Sequence, residues 1–166
     1  MKQAYTLIII GSLFTIWSVM IDNIDLLNSA MGYLIILLGI IQEEKQRPIF
    51  EFRKAKFITI WLVILELVNP FLIHIRPVFL TLSVLKIAIS LYLYFCLIKA
   101  DYMWHPQSKT RIYLQRYTII GLVYLTFFLL LHPFPQFAYL FILTSSLYFT
   151  YLFYILLQLR KKSSIY

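Results

Sequence analysis

Residues 57–98 read FITIWLVILELVNPFLIHIRPVFLTLSVLKIAISLYLYFCLI. Two apolar runs, 57–75 and 78–98, flank the dipeptide Arg76-Pro77, and each holds one formally charged residue, Glu66 or Lys86. A helix that crosses about 30 Å of hydrocarbon needs about 20 apolar residues. Both runs reach that length, and a two-residue connection permits only an antiparallel return. The stretch predicts a transmembrane helical hairpin.

Four more apolar runs lie outside it, at 5–21, 26–41, 117–132 and 137–157, the second and fifth of the six being short. Hydrophobic residues make up 61% of the 166 and charged residues 13%, against about 45–50% and about 25% in soluble domains. Mean hydropathy is +0.82. That composition excludes a water-soluble globule, a disordered chain and a coiled coil. The expected fold is all-α, a polytopic transmembrane bundle of six spans forming a single domain over 1–166. An internal repeat is not apparent.

The charges support the count independently. The net charge is +8 from 15 basic and 7 acidic residues. With six spans, Lys2, the bases of 42–56, those of 99–116 and those of the tail fall on one side. These are thirteen of the 15; Arg76 falls opposite and Lys86 within a span. The positive-inside rule then places both termini in the cytoplasm, and removing any one span breaks the alternation. Basic loops of this kind face anionic lipid, so the expected partner is the bilayer and no nucleic acid is expected. The first run lacks a small-x-small cleavage site and reads as an uncleaved span. Cys96 is the one cysteine, a small hydrophobe by default.

Glu66 and Lys86 carry the main chemical signal. Each costs about 2.5–3.5 kcal/mol to insert alone at the centre of a span. At 1.5 Å rise per residue they lie roughly 14 and 18 Å from the inner ends of their helices, close enough to pair. Thr59, Glu66 and Asn69 share one face of the third span, and Ser83, Lys86 and Ser90 one face of the fourth. Pro70 removes a backbone donor beside Glu66, and Thr144, Ser145 and Ser146 add hydroxyls at mid-depth of the sixth span. Two readings stand: a structural ion pair that fixes helix register, or a site for a ligand or ion.

Small residues mark a packing face. Gly11, Thr15 and Ser18 share one face of the first span, and Gly32 and Gly39 one face of the second; such residues let helices approach closely in lipid. Asp22 and Asp25 read as a solvated outer turn. His74, His105 and His132 are too scattered for metal ligation, and no metal or cofactor is expected. The run Glu43-Glu44-Lys45-Gln46-Arg47 has a distant likeness to the paired-Glu motif of intramembrane prenyl-protein proteases. Its Arg comes one residue early, and the run reads as a solvated inner loop. The aromatics of the sixth span, among them Tyr139, Tyr148, Tyr151 and Tyr154, read as lipid-facing anchors.

The segment Asn23-Ile24-Asp25-Leu26-Leu27, followed by Met31-Gly32-Tyr33-Leu34-Ile35-Ile36-Leu37-Leu38-Gly39, resembles the first hairpin of a group of small membrane proteins of Bacillus and Clostridium relatives. In that group an Ile-Asp-Leu/Ile-Leu-Pro turn leads into a Gly-Tyr span ending near a second Gly; here Asn28 stands in place of the Pro. The resemblance implies a bacterial plasma-membrane protein and carries no functional residues with it.

Enzyme signatures such as His-Glu-x-x-His or Gly-x-Ser-x-Gly are missing. The expected function is therefore non-enzymatic: a small accessory, regulatory or protective partner of another membrane component. The alternative is a binding or transport module for a small molecule, ion or lipid, using the Glu66/Lys86 seam.

Overall fold

Apolar runs bounded by prolines and short polar turns dictate the elements. The computed structural model describes residues 2–18, 25–72, 76–106, 109–131 and 133–162. The described residues form six α-helices: α1 Lys2–Ser18, α2 Asp25–Gln46, α3 Phe50–Leu72, α4 Arg76–Trp104, α5 Thr110–Leu131 and α6 Ala138–Lys162. A 3-10 turn, Pro135–Phe137, precedes α6. Pro48 separates α2 from α3, and Pro106 follows the end of α4, as expected of a residue that lacks the backbone donor a helix requires. Pro77 stands second in α4, where a missing donor costs nothing.

The helices outrun the apolar segments that signal them. α2 continues past 41 to Gln46, α3 starts at Phe50 rather than 57, α4 reaches Trp104 rather than 98, and α5 starts at Thr110 rather than 117. Their charged ends stay helical because they pack on one another. Among the described residues three helices are long and apolar enough to cross a membrane: Thr81–Trp104, Thr110–Leu131 and Ala138–Lys161. α1 adds a shorter apolar stretch, Gln3–Thr15.

Each helix packs on its neighbour in sequence, and α1 also packs on α6, so the six close into a ring. Tyr5, Ile8, Ile36, Ile40, Leu93 and Leu152 belong to its buried apolar core. The outer surface is apolar too: Ile119 and Ile142 are more than 60% exposed and Tyr139 is 85% exposed. Contiguous apolar surface on that scale fits lipid rather than water as the surrounding medium.

The tightest contact joins α1 to α2. A Cβ added to Gly32 would lie 2.7 Å from Thr15 Cγ2 and 2.8 Å from the Gly11 carbonyl oxygen, and one added to Gly39 would lie 2.7 Å from the Ala4 carbonyl oxygen. Backbone meets backbone at both points, so nothing can yield. The Ser18 side chain lies outside the described residues, as do Asp22, the Asp25 side chain, His74 and His132.

Gly32→Leu and Gly39→Leu should each lower stability by about 1–3 kcal/mol or more through overpacking, read as a fall in the thermal midpoint in mild detergent. Gly121→Ala is the control. Its Cβ would meet only the flexible end of Leu91, at 3.1 Å, and its midpoint should stay close to that of the unaltered chain.

Candidate functional site: buried charges within the bundle

α3 and α4 run antiparallel, and their depths bring Glu66 level with Lys86. Lys86 Nζ lies 3.0 Å from Glu66 Oε1. Glu66 is 2% exposed, whereas the Lys86 side chain is half-buried. Two other members of the expected seam make their own bonds. Thr59 donates its hydroxyl to the Ala55 carbonyl at 2.7 Å, within its own helix. Ser90 bonds the Tyr33 hydroxyl of α2 at 2.8 Å. Asn69 and Ser83 are half-buried, and no hydrogen bond joins Asn69 to either charge among the described residues. Thr144 and Ser145 donate to carbonyls of α6, and α6 packs on α5 and α1 rather than on α3. The hydroxyls of α6 therefore do not join a site around Glu66, because a threonine or serine in a helix can satisfy itself on the preceding turn.

Tyrosines take the place of those hydroxyls. Tyr94 of α4 donates to Ser12 Oγ at 2.8 Å, and Ser12 Oγ donates in turn to the Ile8 carbonyl of α1 at 2.7 Å. Tyr117 of α5 donates to the Leu91 carbonyl at 2.9 Å. Its one proton is thereby committed, so Tyr148 of α6, 2.9 Å away, is the donor to it. Tyr124 stacks on Tyr148 at 5.0 Å and 6°. Tyr148 is thus an interior residue and not a lipid-facing anchor; its hydroxyl finds a partner only inside the ring.

At the end where α2 stops, a second ionic group gathers five helices. Arg47 and Glu43 are 1% and 0% exposed, which overturns the reading of 43–47 as a solvated loop. Helical spacing of four puts both on one face. Arg47 Nε donates to Glu43 Oε2 at 2.9 Å, and Nη2 bonds the same oxygen. Arg47 Nη1 lies 3.6 Å from Asp101 Oδ1 of α4, and Nη2 lies 3.5 Å from the Tyr5 hydroxyl of α1. The guanidinium also lies 5.5 Å from the Phe52 ring centre of α3 and 5.9 Å from that of Trp104. Thr110, which opens α5, donates to Asp101 Oδ2 at 3.1 Å. His105 Nδ1 stands 3.7 Å from Asp101 Oδ1.

Further ion pairs border this group. Glu51 meets Lys99 at 2.9 Å, and Glu44 meets Lys56 at 2.5 Å. Burial pushes the Glu43 carboxyl above the usual carboxylate range, against the pull of Arg47. The hydrogen bond from Lys99 holds Glu51 below that range. Among the described residues Glu43 Oε1 is buried and accepts no hydrogen bond. Among the described residues no three His, Cys, Asp or Glu side chains are grouped to hold a metal ion.

No protein-family model matches this chain, and no curated protein and no solved structure is significantly similar to it.

Removing one member of the Glu66–Lys86 pair leaves the other uncompensated in an apolar setting. Glu66→Leu and Lys86→Leu should each cost about 3–5 kcal/mol, and the double Leu variant should recover much of the loss. Single variants that melt in detergent like the unaltered chain would mean that the two charges do not support one another.

Proposed function

We propose that the chain is a six-span protein of a bacterial plasma membrane with both termini cytoplasmic, and that it serves as a non-enzymatic accessory partner of another membrane component. The observation that carries the accessory role is the mutual pairing of interior polar groups. Glu66 pairs with Lys86, Tyr33 with Ser90, Tyr94 with Ser12 and Tyr117 with Tyr148. Groups that satisfy one another across helices hold a shape, and the broad apolar exterior remains for recognition.

The topology draws on two supports. One is the segregation of thirteen bases to one side. The other is the gathering of the start of α1, the end of α2, the start of α3, the end of α4 and the start of α5 around Arg47, as an up-and-down order requires. The bacterial setting rests on the resemblance of the first hairpin alone. A second reading, binding of a solute at the seam, is favoured by the half-buried state of Lys86, which leaves its ammonium within reach from outside the pair.

Reporter fusions after Leu27, Arg76 and Pro135 should all report the outer side; a cytoplasmic signal from the last contradicts six spans. The role is tested by purifying the tagged chain from its own membrane in mild detergent, beside the Glu66→Leu/Lys86→Leu double variant. The accessory role predicts a stoichiometric membrane protein retained by both. A small molecule bound to the unaltered chain and lost from the folded double variant would favour the seam.

A further inference from the structure

Between α5 and α6 a groove of about 470 Å³ opens on the outside of the ring. Ile119, Ile120 and Val123 of α5 form one wall, and Leu147, Tyr151 and Tyr154 of α6 the other. Ile119, Val123 and Leu147 are exposed, so the groove faces the surrounding medium. Thr144 closes its upper end, with its hydroxyl bonded to Leu140 and Phe141 of its own helix. From Thr144 to Tyr154 the groove runs roughly 15 Å at 1.5 Å per residue. That is half of the roughly 30 Å hydrocarbon thickness, the depth of one leaflet.

One end of the groove is basic and aromatic. Arg116 precedes Ile119 and Ile120 by three and four residues and so shares their face of α5. It is exposed, and among the described residues no carboxylate pairs with it. Tyr113 meets the Tyr154 ring edge-on at 6.0 Å, and Tyr151 stacks on Tyr154 at 6.3 Å. The Tyr151 hydroxyl is buried without a hydrogen-bond partner. Lys161 follows Tyr154 by seven residues, two turns further along the same face of α6.

We propose that this groove binds an acyl chain of an anionic phospholipid, with the lipid phosphate on the Arg116 guanidinium. An apolar trench one leaflet deep, with a guanidinium at its polar end, matches a lipid in both length and charge. Arg is suited to phosphate because its fork of donors meets two oxygens at once. The Arg116 charge favours a headgroup of net negative charge over a zwitterionic one. Neither glycine nor alanine lines the walls, the residues that admit a second helix closely. The proposal rests on the membrane-spanning reading, and under the topology above the leaflet is the cytoplasmic one.

The test uses the full chain in mild detergent with fluorescently labelled phosphatidylglycerol and phosphatidylcholine, and thermal melting to check each variant. Phosphatidylglycerol should bind more tightly than phosphatidylcholine. Arg116→Gln should weaken phosphatidylglycerol binding about tenfold, the loss of one hydrogen bond to a charged group, while Arg116→Lys, which keeps the charge but not the fork, weakens it less. Val123→Trp, which fills the trench, should weaken both lipids. Equal affinity for the two lipids, or Arg116→Gln binding like the unaltered chain, overturns the proposal. So does a Val123→Trp variant that binds both lipids normally, or one that loses a copurifying protein while keeping lipid. Binding in detergent does not depend on orientation, so a failed topology and a failed lipid site give different results.

Discussion

The guanidinium of Arg47 sits where five helices meet, and the geometry of that end depends on it. It touches Glu43 near the end of α2, Asp101 of α4, Tyr5 of α1 and the rings of Phe52 and Trp104. A buried cation of this kind is tolerated only when its donors are occupied and its charge is matched. The match needs α1, α2, α3 and α4 at fixed positions, and Thr110 ties α5 to the same Asp101. α1 and α2 meet this demand by packing backbone on backbone at Gly11, Gly32 and Gly39.

The same rule, applied at mid-depth, explains the rest of the interior. Where hydrocarbon surrounds a bundle, burying apolar surface gives no preference for one helix pairing over another, and packing and hydrogen bonds decide. Glu66–Lys86 fixes α3 against α4, Tyr33–Ser90 fixes α2 against α4, and Tyr94–Ser12 fixes α1 against α4. α4 takes part in all three, and also receives Tyr117 of α5 at the Leu91 carbonyl. It is the helix that sets the register of the others, although its neighbours in the ring are α3 and α5.

Much of this was legible in the residues. Six apolar runs became six helices, and counting depth along two of them brought Glu66 to Lys86. What escaped was whatever depended on a helix outliving its apolar run. The charges at 43–47 look solvated when judged by composition, yet Ile36, Ile40, Glu43 and Arg47 continue one helical stripe, and all four are buried. That unbroken spacing was the available signal. The tyrosines escaped for another reason: an aromatic with a hydroxyl serves equally at the lipid interface and inside, and only a partner across the ring distinguishes Tyr148 from Tyr139. Serines and threonines presented the reverse problem, since Thr144, Ser145 and Thr59 satisfy themselves on their own helix.

The central claim is that the Arg47 group holds this end of the bundle as a matched set of charges. Its most direct test is the stability of Arg47→Met in mild detergent between about pH 8 and about pH 5. At the upper pH the variant leaves Glu43 and Asp101 buried together without their cation, and it should be less stable by about 3–5 kcal/mol. Glu43 already titrates above its ordinary range in the folded chain, and losing Arg47 raises it further. The folded variant therefore takes up its proton before the unfolded chain does, and stability is regained as the pH falls. The account predicts a deficit that narrows on acidification. A variant as stable as the unaltered chain at pH 8, or a deficit that widens towards pH 5, would contradict it.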